Sequence, residues 1–166
     1  LQARGISLAV NLSGQSLHDL ELKQYLTDEL QRSGTAPHHL ILEVTETAAI
    51  TDFSTARNVL QTVRDLGCRT ALDDFGIGFS SFHYLGQLPV DYIKIDGSFI
   101  RSLLINPDSH TIVKAIADIA KGFGKQTIAE FVDQAALLPI LKEYGIAYGQ
   151  GFYVGKPLPL AQLLKG

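Results

Sequence analysis

The chain has 166 residues, of which 46% are apolar and 19% charged, and this composition is typical of a folded globular protein. Its net charge is −3 and its lysines and arginines form no basic run, which argues against a nucleic acid polymer as a partner. The single cysteine excludes an internal disulfide framework, and no apolar stretch approaches the roughly 18 residues of a membrane span, so we expect a cytoplasmic domain.

Short apolar runs alternate along the chain with longer amphipathic ones. The run 6–12 predicts a buried strand, and the leucines after Ser13 recur at helical spacing as far as Ser33 and Gly34. Further strands are predicted over 40–46, 69–74, 90–96, 125–132 and 146–151. Further helices are predicted over 53–66, after the loop 75–81 as far as Leu88, over 109–123, and from an N-cap at Asp133 to about Tyr144.

This strand-then-helix repeat predicts one α/β domain with a parallel sheet over residues 1–166. Both an open doubly wound sheet and a (β/α)8 barrel gather their working residues at the carboxyl ends of the strands. Polar groups follow nearly every predicted strand, and contributions from successive strands favour the barrel. A complete barrel takes about 250 residues, so we expect an incomplete one with about six βα units, from which the first strand and helix are missing. The start on a residue other than Met also indicates a fragment.

Acidic residues at the predicted strand ends are the main functional signal. Asp73 and Asp74 are adjacent, although two like charges repel each other and are costly to desolvate. Glu43 and Glu130 each follow apolar residues, where an unpaired carboxylate is unfavourable. Oxygen ligands of this kind suit Mg²⁺ or Mn²⁺, and two ions that share Asp73 would suit in-line hydrolysis of a phosphodiester.

Other polar residues at the strand ends allow more than one interpretation. Lys94 lies between two isoleucines, so its ammonium needs an anion or a lowered pKa. Asp96 either pairs with Lys94 or starts the next turn, and Glu46 is either a loop anchor or an acid at a helix N-terminus. Gln150 and Asn11 are site amides or turn residues. A Schiff-base or general-base role for Lys94 in an aldolase or lyase barrel is a further alternative.

The polar strand ends belong to strings that closely resemble the EAL domain family, in order and over essentially the whole chain. The matching strings are NLS at 11–13, EVTE at 43–46, DDFGIGFSS at 73–81, LPVD at 88–91, KIDGSF at 94–99, AEFVD at 129–133, QG at 150–151 and KP at 156–157. The resemblance implies metal-dependent hydrolysis of the bacterial second messenger cyclic di-GMP to linear pGpG.

The resemblance also implies roles for individual residues. Asn11, Glu43 and Asp73 match the ligands of one metal ion. A second ion and its nucleophilic water correspond to Asp73, Asp74 and Glu130, with Glu130 as general base and Lys94 holding the water. The remaining matches are Glu46 as the anchor of the loop after Asp73 and Asp74, and Gln150, Asp96 and Asp133 as support for the site and the substrate.

The sequence departs from the family pattern in three respects. The Glu-Ala-Leu motif belongs to a first strand that this sequence does not contain. The sequence therefore also lacks an implied metal ligand and an arginine that would contact the substrate phosphate. Phe131 stands where glycine is frequent, and Asp133 where glutamate is usual. The alternative function is therefore a degenerate EAL domain that binds cyclic di-GMP, or another partner, without catalysis.

The resemblance predicts a larger parent protein with upstream sensory or GGDEF domains, which a membrane anchor could tether. For the isolated chain we expect weak or no activity. An open side of the barrel is expected to expose apolar surface and to favour a partner or a homodimer.

Overall fold

The computed structural model describes residues 5–77 and 82–163, and the chain divides into two compact units, Leu1–Tyr92 and Ile93–Gly166. The strands are β1 (Leu8–Asn11), β2 (Leu40–Thr45), β3 (Arg69–Phe75), β4 (Tyr92–Ile95), β5 (Gln126–Ala129) and β6 (Tyr148–Gly149). The helices are α1 (Leu22–Ser33), α2 (Glu46–Thr51), α3 (Phe53–Asp65), α4 (Phe82–Gln87), α5 (Gly97–Ser102), α6 (Pro107–Gly122), α7 (Leu137–Glu143) and α8 (Leu160–Leu163).

In the first unit, β1, β2 and β3 are parallel neighbours in that order. The longest helix of this unit is α3, which begins where the Asp52 side chain accepts the backbone N–H of Thr55. Its residues Ala56, Leu60 and Val63 recur at helical spacing and are buried, so one face of α3 contributes to the core. Cys68 is also buried, and burial raises the pKa of its thiol.

Within the first unit, Asp91 binds to the start of β3 and to the end of α3. Its Oδ2 accepts the backbone N–H of Thr70 at 2.9 Å, and its backbone N–H donates to the carbonyl of Thr70 at 2.9 Å. Its Oδ1 lies 3.4 Å from Nη2 of Arg64. The carboxylate of Asp91 therefore holds the beginning of β3 in place.

In the second unit, β4, β5 and β6 follow one another in chain order. The backbone N–H of Glu130 donates to the carbonyl of Ile95 at 3.2 Å, and Ala129 pairs with Gly149 in the parallel ladder of β5 and β6. The longest helix is α6, whose N-cap Asn106 accepts the N–H of Asp108 and is followed by Pro107 at the first helical position. Asparagine at the N-cap and proline at the first helical position both favour the start of a helix.

Several local predictions are wrong. The strand at 6–12 is not buried: all four residues of β1 are exposed, because β1 lies at the edge of the sheet. The first helix begins only at Leu22, since Asp19 is extended and its side chain accepts the N–H of Glu21. Asp133 is not an N-cap, because α7 begins at Leu137. The short helices α2, α5 and α8 were not predicted.

Among the residues that the structure describes, no helix is both long enough and apolar enough to cross a membrane.

Candidate active site

Oxygen-bearing side chains share one face of the sheet in the first unit. Asn11 at the end of β1 is in register with Glu43 of β2, Glu43 is in register with Ala71 of β3, and Thr45 with Asp73. Paired residues of parallel strands point to the same face, and so do residues two apart in one strand. Asn11, Glu43 and Asp73 therefore lie on a common face near the carboxyl ends of three neighbouring strands.

The backbone bends sharply directly after Asp73. Asp74 has a φ of 55°, in the left-handed region that residues other than glycine rarely adopt. Its N–H donates to Oδ1 of Asp73 at 3.0 Å, and its side chain is exposed. Phe75 then returns to the core with 2% of its surface exposed. The bend thus exposes the carboxylate of Asp74 near the end of β3, between the half-buried Asp73 and the buried Phe75.

Glu46 combines the two roles that the sequence left open. It is the first residue of α2, and its Oε2 accepts the backbone N–H of Gly76 at 3.0 Å. The residue is only 3% exposed, and its Oε1 has no hydrogen-bond partner within the described part of the chain. Glu46 therefore holds the backbone just beyond Asp73 and Asp74. The remainder of the predicted loop, residues 78–81, lies outside the described residues.

A buried ion pair occupies the second unit. Nζ of Lys94, in β4, lies 3.0 Å from Oε1 of Glu130, which directly follows β5. The two residues are 4% and 8% exposed. The sequence left two possibilities for Lys94, a nearby anion or a lowered pKa, and the structure supplies the anion in Glu130. An amine held in this ion pair is poorly suited to Schiff-base chemistry.

The other predicted residues of the second unit take separate positions. Asp96 starts the next turn, because its Oδ1 accepts the backbone N–H of Ser98 at 2.8 Å and also the hydroxyl of Ser98. It is the N-cap of α5. Asp133 and Gln150 line a cavity of about 430 Å³ together with Glu130. The backbone of Gln150 also donates to the carbonyl of Ala129 at 2.8 Å, which places it beside the end of β5.

Three large side chains of this cavity were not among the predicted site residues: Arg101, Phe131 and Phe152. Phe131 has a φ of 52°, which gives a physical reason why glycine is frequent at this position in the family. In the sequence, the only indication that Phe131 belongs to this cavity was its departure from the family pattern. Arg101 lies on α5, a helix too short to show a periodic pattern.

The family model described as EAL domain matches residues 1–157 of the chain. Among curated relatives, the cyclic di-GMP phosphodiesterase PdeB of Shewanella oneidensis is 41% identical over 154 residues, which make up 93% of this chain and 18% of PdeB. The chain therefore spans less than a fifth of the length of that relative.

Two solved structures show the same fold. The PaMucR phosphodiesterase in complex with c-di-GMP has a TM-score of 0.89 and 36% identity, over 95% of this chain and 64% of that chain. The manganese and cyclic di-GMP complex of BlrP1 from Klebsiella pneumoniae has a TM-score of 0.81 and 35% identity, over 88% of this chain and 38% of that one. These matches confirm the predicted fold class, an incomplete α/β fold of the (β/α)8 type.

Proposed function

Because the chain belongs to the EAL domain family, we propose that it carries the residues with which a phosphodiesterase hydrolyses cyclic di-GMP to linear pGpG. The observation that carries this proposal is the contact of 3.0 Å between Nζ of Lys94 and Oε1 of Glu130. Opposite charges that leave water gain little net stability from their pairing, so a buried pair at strand ends is better explained by a reaction. The names of PdeB and PaMucR support the substrate.

The proposed metal ligands fit a hard divalent cation such as Mg²⁺ or Mn²⁺. Asn11, Glu43 and Asp73 offer one amide oxygen and two carboxylates on one face of the sheet, and such cations prefer oxygen ligands. Asp74, which is exposed beside Asp73, is the proposed ligand of a second ion. When bound, such ions neutralise phosphate charge and make water a better nucleophile. The BlrP1 complex with manganese supports this assignment.

The other side chains of the site are proposed to act as the general base, to position the backbone and to contact the substrate. Glu130 is the proposed general base, which takes a proton from the attacking water, and Lys94 orients its carboxylate through the contact at Oε1. Glu46 acts through the backbone, because its hydrogen bond to Gly76 fixes the chain after the two aspartates. Gln150 and Asp133 share a cavity with Glu130 and are proposed to contact the substrate, whereas Asp96 holds the start of α5.

The substitution Glu130→Gln tests the assignment of the base. In the full-length parent protein, we expect turnover of cyclic di-GMP in Mg²⁺ or Mn²⁺ buffer to be lost while nucleotide binding is largely kept, because the amide preserves the shape of the side chain but accepts no proton. Asp73→Asn should abolish both metal binding and turnover. Glu143→Gln is the control, since Glu143 is exposed at the end of α7.

Chromatography of the product and calorimetric titration with nucleotide and with Mn²⁺ give the two readouts. Wild-type turnover in Glu130→Gln would show that another group is the base. A full-length parent protein that binds cyclic di-GMP and never cleaves it would instead be the degenerate receptor of the alternative prediction. The family relationship and the chain's 18% share of PdeB also lead us to propose sensory or GGDEF domains in the parent protein. A homodimer and a cytoplasmic location stay predictions.

A further inference from the structure

An apolar groove lies between α1 and α3 in the first unit. Its volume is about 370 Å³, far more than the roughly 30 Å³ that one water molecule takes up, so it can admit a whole side chain. Its walls are apolar residues of both helices and of the turn before α1: Leu17, Leu22, Leu26, Val59 and Val63. The exposed residues around them are polar, with one exception: His18, Asp19, Lys23 and Asn58, and the exception Leu20. An apolar surface with a polar rim is typical of a site that binds another molecule.

Leu20 protrudes beside this groove. It is 98% exposed, more than any other large apolar residue in the part of the chain that the structure describes. Leu20 lies in the turn before α1, where Oδ1 of Asp19 accepts the N–H of Glu21 at 2.9 Å and the carbonyl of Asp19 accepts the N–H of Leu22 at 3.3 Å. The turn therefore holds the backbone of Leu20 in place while its side chain extends into solvent.

The turn that carries Leu20 is attached to the wall of the groove. Leu17, just before the turn, is only 3% exposed, and Nε2 of His18 lies 3.9 Å from Oδ2 of Asp52, the N-cap of α3. A segment that is already held in this way loses little freedom when it binds another molecule. Leu20 does not fill the groove of its own chain, because almost its whole surface is exposed. A fixed apolar protrusion and an apolar hollow thus lie side by side on one surface.

We propose that this groove binds a second copy of the chain, and that Leu20 of each copy occupies the groove of the other. A protrusion beside a hollow is self-complementary about a twofold axis, which is the commonest symmetry of homo-oligomers. The charges fit the same arrangement, because Lys23 and the acidic residues Asp19 and Glu21 are all exposed beside the groove, and opposite charges of two copies can meet across the axis. The inference goes beyond the proposed function, since none of these residues belongs to the proposed active site.

Cysteine cross-linking between two differently tagged forms of the full-length parent protein tests this arrangement. One form carries Leu20→Cys and the other Asn58→Cys, so a disulfide between the two positions can form only between copies. Mild oxidation of the mixture should give a covalent heterodimer that is joined through positions 20 and 58, as peptide mass spectrometry identifies. Arg57→Cys is the matched control for Asn58→Cys, because Arg57 is exposed on α3 but does not line the groove. It should give several-fold less cross-linked product.

A second substitution tests the role of Leu20 itself. The form with Asn58→Cys still carries Leu20, and adding Leu20→Glu to it should lower the yield of heterodimer by roughly tenfold or more, because burial of a leucine side chain contributes about that much affinity. Tyr25→Glu is the control, since Tyr25 is exposed on α1 outside the groove, and it should leave the yield unchanged.

Far-UV circular dichroism verifies that each variant is folded. Equal cross-linking of folded proteins at positions 57 and 58, or a yield that Leu20→Glu leaves unchanged, would overturn the inference. A disulfide from position 58 to a cysteine of another domain of the parent protein would also overturn it, because that domain would then occupy the groove. The proposed hydrolysis of cyclic di-GMP is measured separately and does not depend on these outcomes.

Discussion

The substitution Gly97→Ala gives a direct test of the packing between α5 and the segment after β5. In the structure, an added methyl group would lie 2.0 Å from Cδ2, 2.6 Å from Cγ and 2.9 Å from Cβ of Phe131. Real Cβ atoms do not approach other atoms this closely, so the ring must move. We expect Gly97→Ala to destabilise the chain, although alanine is intrinsically the better helix former.

The size of the change in unfolding free energy caused by Gly97→Ala follows from two opposing contributions. Forcing an extra methyl group into a packed contact typically costs about 1–3 kcal/mol, and the helix preference of alanine over glycine offsets up to about 1 kcal/mol of this. Removal of the ring by Phe131→Gly abolishes the first contribution and leaves the second. Gly97→Ala should therefore become neutral or stabilising in the Phe131→Gly background, with a coupling free energy of about 1–3 kcal/mol between the two positions.

Urea unfolding of the four proteins of this cycle, followed by circular dichroism, measures the coupling as shifts of the midpoint at constant slope. Gly151→Ala is the matched control, because its Cβ would lie 2.3 Å from the backbone nitrogen and 2.4 Å from the backbone oxygen of Val132. Since backbone atoms cannot rotate away, Gly151→Ala should be destabilising in both backgrounds. A coupling below about 0.5 kcal/mol between Gly97→Ala and Phe131→Gly would refute the packing argument.

Two further predictions concern the first unit. Asp91→Asn should lower the free energy of unfolding by about 1 kcal/mol, because hydrogen bonds to a charged acceptor are stronger than neutral ones and Asp91 accepts from Thr70 and pairs with Arg64. Asp118→Asn, at an exposed pair with Lys114, is the control, and equal loss in both variants in urea unfolding would contradict the prediction. Cys68 should react with a thiol reagent near pH 8 only after unfolding, because it is 4% exposed and burial raises the pKa of its thiol. The folded state favours the neutral thiol, so the pKa of Cys68 is higher in the folded than in the unfolded chain. The contribution of Cys68 to the free energy of unfolding is therefore complete below the pKa of the unfolded chain, and it is lost as the pH rises through the pKa of the folded chain. Rapid labelling of Cys68 in the native chain would contradict this prediction. So would a pH dependence of the unfolding free energy that is the same in the wild type and in Cys68→Ala.

The positions of the main polar residues could be predicted because burying a charge is unfavourable enough to stand out in an apolar run. Glu43, Lys94 and Glu130 interrupt such runs, and the structure leaves them 6%, 4% and 8% exposed. The sequence also predicted that Lys94 has either an anion nearby or a lowered pKa. It could not show that the anion is Glu130, which lies 36 positions further along the chain, because pairing between strands depends on register and tertiary packing.

The start of α7 shows why other local features could not be predicted. Asp133 has the side chain of an N-cap, and its sequence neighbours allow a helix to begin there. In the structure, the N–H of Val132 donates to the carbonyl of Gln150 at 2.9 Å, and the carbonyl of Val132 accepts the N–H of Tyr153 at 3.0 Å. The backbone just before Asp133 is thus held by a distant segment, and the helix begins only at Leu137. Tertiary hydrogen bonds outweighed a local preference.

Backbone strain coincides with the proposed active-site acids in both units. Among the described residues other than glycine, positive φ occurs at Asp74 and Phe131, which directly follow Asp73 and Glu130. A left-handed conformation at such a residue costs about 1–2 kcal/mol, and folding alone would be better served by glycine at both positions. Strain of this kind persists when the side chain is needed where the bend puts it. For Asp74 the bend exposes a carboxylate beside Asp73, and for Phe131 it lays an aromatic ring against Gly97 and Arg101. At Asp74 the strain therefore supports the same assignment as the acid that precedes it, the proposed metal binding.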